Sequence, residues 1–150
     1  MKISTGLDIS ASALTAQRLR MDVISSNIAN AETTRAEFVD GRFQPYRRKM
    51  TVLSPMNQSF SNMLQDQLGL PGSKSGVKVT KITEDSSPFK LSYNPTHPDA
   101  DEAGYVRMPN VDVAKEMIDM IAASRAYEAN VTAINASKSM FVKALEIGRK

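Results

Sequence analysis

The feature that most constrains this chain is a pair of long helical patterns, one at each end, each apolar on two sides. Over residues 4–31, Leu7, Leu14, Met21 and Ile28 recur every seven residues, with Ala11 and Ile24 on the same side, as in an amphipathic helix. At helical spacing Ile9, Leu19 and Val23 fall on nearly the opposite face. Thr5 with Asp8 three residues on gives a capping-box pattern, with Asp in place of the usual Glu. A surface helix of a monomer has one apolar stripe and one polar face. A helix with two stripes expects neighbours on both sides.

The second pattern, residues 111–148, is the stronger. Pro109 precedes it, and Asn110 or Asp112 stands where a cap is needed. Met117, Met120, Tyr127, Val131, Ile134, Phe141, Val142 and Leu145 share one broad face. The opposite face carries Ala122, Ala126, Ala129, Ala133, Ala136 and Ala144, with Ile118, Met140 and Ile147. Small residues in a row let another helix approach closely. At the α-helical rise the two helices are about 40 and 55 Å long. Pairing them as an antiparallel, coiled-coil-like hairpin buries one stripe of each. The other stripes stay in water at roughly 25 cal/mol per Å² of apolar area, unless other subunits cover them.

Both helices also contain a seam without charge, Val23–Ala31 and Ala129–Ser137. Asn27, Asn30, Asn130 and Asn135 lie in or beside these seams. A buried amide must find a partner and so disfavours shifted registers. The alternative makes Asn30 a C-terminal cap and leaves Asn27 solvated. The candidate assembly interface is therefore Leu7, Leu14, Leu19, Met21, Val23, Asn27, Ile28 and Asn30 on the first helix. On the second it is Met117, Met120, Tyr127, Asn130, Val131, Ala133, Ile134, Asn135, Met140, Phe141 and Leu145.

Between the helices, "YRRKMTVL" (46–53), "GVKVTKITED" (76–85) and "FKLSY" (89–93) have strand composition. "GLPGSKSG" (69–76) and "NPTHPDADEAG" (94–104) read as loops. The expected fold is mainly α with a small irregular β unit. It divides into an N-terminal helix (1–34), a central β/loop region (35–109) and a C-terminal helix (110–150).

Site chemistry is sparse. There is no Cys, and His97 is the single histidine, which excludes thiol chemistry and the usual multi-His metal sites. "GLPGSKSG" departs from the phosphate-loop pattern because Ser73, not Gly, precedes Lys74. "DADEAG" (99–104) begins like a calcium loop, but Ala103 and Asn110 occupy ligand positions, the latter that of the bidentate Glu. "RRK" (47–49) lacks an aromatic platform and reads as a blunted sheet edge. A net charge of +3 does not suggest a nucleic-acid binder. No segment is long and apolar enough to enter a membrane, and "MKISTGLDISASAL" lacks the apolar run of a cleaved secretory signal. The residues assign no catalytic, cofactor-binding or metal-binding role.

Three stretches resemble the bacterial flagellar basal-body rod proteins. "SALTAQRLRMDVISSNIANAETT" (12–34) is similar to the N-terminal signature of rod and hook proteins. "NPTHPDADEAGYVRMPNVDVAKEMIDMI" (94–121) is similar to a segment of the short proximal rod type, and "SRAYEANVTAINASKSMFVKALEIG" (124–148) to the shared C-terminal helix. The resemblance implies an axial structural component without catalytic activity, one that self-associates in a helical polymer. It implies passage, unfolded and without signal cleavage, through the flagellar type III export apparatus. It places the chain in the hollow rod of the basal body, in the periplasm or the cell wall. The paired terminal helices would line the inner tube and carry torque from motor to hook. The implied neighbours are other rod proteins and the membrane ring with its adaptor. Terminal helices disordered in the free monomer and folding on assembly are a further expectation. Two rivals remain at this point. One is a soluble export chaperone or adaptor that binds another axial protein through its C-terminal face. The other is a hydrolase built on Asp99, Asp101 and Glu102.

Overall fold

The computed structural model describes residues 3–39, 41–56, 64, 68 and 76–148, the side chains of 3–5 excepted. The capping hydroxyl of Thr5 and the loop around Lys74 lie outside the described residues. Two long helices open and close the chain, α1 (Ile3–Ala29) and α2 (Val113–Ile147). Among the described residues six short strands run between them. They are β1 (Glu37–Val39), β2 (Arg42–Gln44), β3 (Lys49–Pro55), β4 (Val77–Glu84), β5 (Lys90–Tyr93) and β6 (Tyr105–Met108). The strands form three separate two-stranded sheets, β1–β2, β3–β4 and β5–β6. The fold is thus mainly helical with a small β unit, as the sequence leads one to expect.

The helix ends follow from local chemistry. Asp112 Oδ1 accepts the amide N–H groups of Ala114 at 3.1 Å and Lys115 at 3.4 Å, so Asp112 rather than Asn110 caps α2. At the end of α1, Asn30 Nδ2 donates to the Ser26 carbonyl at 2.9 Å, and Asn30 Oδ1 accepts the Thr33 hydroxyl at 3.3 Å. Asn30 therefore closes the turn that leaves the helix.

The expected strands at 46–53, 76–85 and 89–93 correspond to β3, β4 and β5. Three further strands are present, β1, β2 and β6. β1 and β2 form a hairpin with Phe38 opposite Phe43 and Val39 opposite Arg42. Gly41 sits at φ +78° in its turn, a conformation that a residue without Cβ adopts freely. β6 pairs antiparallel with β5, Tyr93 opposite Tyr105, and Gly104 at φ +81° leads into it.

The chain divides into two compact units, and neither follows the three sequence regions. One comprises Met1–Leu19, Val52–Lys81 and Ala123–Lys150, the other Arg20–Thr51 and Ile82–Ala122. In the first, Ala16 and Ala123 are buried, and the Val77 amide donates to Ser12 Oγ on α1 at 3.1 Å. In the second, Val23, Ile24, Tyr46, Val106 and Val111 are buried around Asn27 and Glu116. There α1 and α2 run antiparallel, because Asn27 meets Glu116 and the earlier Arg20 meets the later Asp119. No helix among the described residues is long and apolar enough to cross a membrane.

Candidate assembly site

The second unit is organised by a polar node. Asn27 is 1 % exposed and Glu116 is fully buried. Asn27 Nδ2 donates to the Lys49 carbonyl at 2.8 Å and to Glu116 Oε2 at 3.0 Å. Asn27 Oδ1 accepts the Lys49 amide at 2.9 Å and the Tyr46 hydroxyl at 3.1 Å. An amide has two donors and two acceptor positions, and here all are used. Toward Lys49 the side chain behaves as a neighbouring strand's peptide unit, taking both the N–H and the C=O of one residue. The polar uncharged end of α1 thus holds the chain's return at β3, and the partners of Asn27 lie within its own subunit.

Glu116 completes the node. Arg48 Nε donates to Glu116 Oε1 at 2.6 Å, and the guanidinium also lies 3.5 Å from Asp85 and 3.8 Å from Asp119. Burial works to lower the Arg48 pKa, but the hydrogen bond and charge of Glu116, with those of Asp85, raise it above its ordinary value. Asp85 is held below the usual carboxylate range, first by the hydroxyl and amide of Ser87 and then by Arg48. The "RRK" stretch is therefore not a blunted sheet edge. Arg47 stacks over the Phe89 ring at 4.6 Å, Arg48 turns inward, and Lys49 supplies its backbone to Asn27. A run of three cations reads as solvated until its carboxylate is found, and that carboxylate, Glu116, lies far along the chain on α2.

The loop 94–104 is fastened in the same unit. Asp99 accepts Arg35 Nε at 2.7 Å and the Thr34 hydroxyl at 2.8 Å. These two hydrogen bonds, Arg35's first, hold the Asp99 pKa below its ordinary value. Both Asp99 oxygens thus serve the chain just after α1.

The other candidate residues separate by exposure. On α1, Val23 is buried, while Leu7, Leu14, Leu19, Met21, Ile28 and Asn30 are half-buried. On α2, Met120, Tyr127, Asn130, Val131 and Ile134 are half-buried, and Met117, Ala133, Asn135, Met140, Phe141 and Leu145 are exposed. Asn130 Nδ2 donates to the Ala126 carbonyl at 2.8 Å, within its own helix. The covered line of α2 runs through Glu116, Met120, Ala123, Tyr127, Asn130 and Ile134, a three–four spacing. Met117 and Val142 lie off this line, whereas Phe141 and Leu145 lie on its continuation past Ile134 and are exposed there. Sequence reasoning missed Glu116, Tyr46 and Arg48. The uncharged seam around Asn27 was the signal that such partners were needed.

Residues 7–36 match the family described as "Flagella basal body rod protein". Residues 102–147 match the one described as "Flagellar basal body rod FlgEFG protein C-terminal". Asn27 lies in the first match and Glu116 in the second, so the node joins the two. Together the matches define a class, the rod proteins of the flagellar basal body. The flagellar basal-body rod protein FlgC of Bacillus subtilis is 59% identical over 95% of this chain and 96% of that protein. The FlgC of Borreliella burgdorferi is 48% identical over 98% of both chains. That of Yersinia enterocolitica is 42% identical over 99% of this chain and 100% of that one. The chain belongs to the FlgC family of flagellar basal-body rod proteins.

Proposed function

We propose that this chain is a structural subunit of the proximal rod of the bacterial flagellar basal body. It polymerises through its terminal helices to help form the hollow shaft that transmits motor torque, and it catalyses nothing. The relatives, named as rod proteins over nearly their whole length, support the reading. The structural observation that carries it is the end of α2, where Met140 is 65 %, Leu145 59 % and Ile147 79 % exposed. A lone subunit has no reason to keep such side chains in water.

In this reading the exposed residues Met117, Ala133, Asn135, Met140, Phe141 and Leu145 meet neighbouring subunits. The half-buried Leu7, Leu14, Leu19, Met21, Ile28, Asn30, Met120, Tyr127, Asn130, Val131 and Ile134 border that surface. Val23 and Asn27 hold α1 from within. The neighbours are further copies, other rod proteins, and the membrane ring with its adaptor. Delivery is by the flagellar type III apparatus without signal cleavage, to the periplasm or cell wall. The test is quantitative mass spectrometry of detergent-extracted, salt-washed basal bodies against the soluble fraction. Enrichment at a fixed ratio to other axial proteins is expected. A chain that stays soluble and washes away refutes the rod reading in favour of an export chaperone.

A further inference from the structure

The node draws its members from three stretches far apart in the chain: Asn27 on α1, Arg48 at the approach to β3, and Glu116 in the first turn of α2. Glu116 is fully buried, and each of its oxygens has one partner, Arg48 Nε at 2.6 Å and Asn27 Nδ2 at 3.0 Å. Asn27 offers a hydrogen bond but no charge. Among the described residues, only Arg48 neutralises the carboxylate where it is buried. The direct ion pair between the helices, Arg20 with Asp119 at 3.3 Å, has side chains 35 % and 30 % exposed, and a pair so placed contributes little. Bringing α1 against α2 without Arg48 therefore buries an uncompensated charge, which is strongly unfavourable.

We propose that the node is a three-way lock, in which the two terminal helices close in this register only when Arg48 has taken its place. Pairing of the helices is then conditional on the folding of the approach to β3, although Arg48 belongs to neither helix. Closure of α1 on α2 reports that the central segment is correctly folded. A helix pair that formed without that segment would bury Glu116 against a neutral amide and reopen.

The test is hydrogen exchange on the full chain, followed at the amides of Met21–Ala29 and Val113–Ala122. In the unmodified protein both stretches are protected, so that the disorder expected of the terminal helices in the free monomer stops short of the node. Arg48→Met lowers protection in both by roughly 100-fold or more, because the carboxylate stays buried without its cation. Arg48→Met with Glu116→Met restores both to within about tenfold of the starting value, because no charge is left to neutralise. The proposal is overturned if both stretches exchange freely in the unmodified protein, or if Arg48→Met leaves α1 within about threefold. It is equally overturned if the double variant is as unprotected as the single one, whether or not either variant is wholly unfolded.

Discussion

Asn27→Ala deletes an amide that is 1 % exposed and engaged at all four of its hydrogen-bonding positions. Its partners do not suffer equally. The Tyr46 hydroxyl keeps Ser26 Oγ at 3.3 Å, and Glu116 keeps Arg48. The Lys49 N–H and C=O lose their partner at a residue whose side chain is exposed, so each costs about 1 kcal/mol, the low end for an unsatisfied group. Glu116 Oε2 loses a hydrogen bond to a fully buried carboxylate, about 2 kcal/mol more. The expected loss is about 4 kcal/mol, a large share of the 5–15 kcal/mol typical of a whole domain. For a chain of this length that lowers the melting temperature by roughly 10 °C. Thermal and urea unfolding of the full chain at neutral pH, followed by far-ultraviolet circular dichroism, measures it. Asn27→Asp keeps the shape but loses both donors and sets a second carboxylate against Glu116, so its loss is at least as large. Asn30→Ala is the control: it removes one bond within the helix and one to Thr33, at about 1 kcal/mol. A loss below about 1 kcal/mol for Asn27→Ala, or a well-tolerated Asn27→Asp, refutes the reasoning.

The Asp99 latch carries a pH signature. Its folded pKa lies below the ordinary value, chiefly through the Arg35 hydrogen bond and then that of Thr34. The latch's contribution is therefore fully present above the unfolded carboxylate pKa, about 3.9, and is lost as pH falls through the lower folded value. A carboxyl-carbon NMR titration should give an Asp99 midpoint below that value, moving up toward it in Arg35→Ala while Asp85 stays in place. The two left-handed glycines should differ. At Gly104 (φ +81°) a Cβ meets Tyr93 Cε2 at 3.0 Å and Pro95 Cβ at 3.3 Å, whereas at Gly41 (φ +78°) nothing lies within 4 Å. Gly41→Ala then costs about 1 kcal/mol of backbone strain and Gly104→Ala about 2 kcal/mol or more in urea unfolding. Leu145→Glu, at a side chain 59 % exposed, should change the stability of the free subunit by less than about 0.5 kcal/mol. It should nevertheless cut recovery in washed basal bodies several-fold, and recovery at the unmodified level would remove Leu145 from the interface.

The helices were legible because their signal is local. The seven-residue spacing of Leu7, Leu14, Met21 and Ile28, the cap before Val113 and the apolar runs all act within a few turns. The need of Asn27 for a partner was legible too, since an uncharged seam makes a buried amide conspicuous. Its partners were not. Glu116 lies 89 positions away and Lys49 contributes only its backbone, which no side-chain pattern records. Arg48 looked solvated because charge reads as surface until its counter-ion is located. The β1–β2 hairpin left a usable trace, Asp40–Gly41 between "EFV" and "RFQ", the residue pair that tight hairpin turns favour. β6 left almost none, being four residues that gain their meaning by pairing with β5.

Each compact unit is stitched from stretches distant in the chain, 20–51 with 82–122 in one and 1–19 with 52–81 and 123–150 in the other. Any machine that delivers the polypeptide amino end first, whether a ribosome or a narrow channel, therefore hands over most of it before either unit has all its pieces. Loop closure must be met before such distant contacts give anything back. The leading two-thirds has no complete globule to form while the rest is in transit. The topology thus keeps the chain threadable until late, then lets both units close together, with no separate device to hold it open.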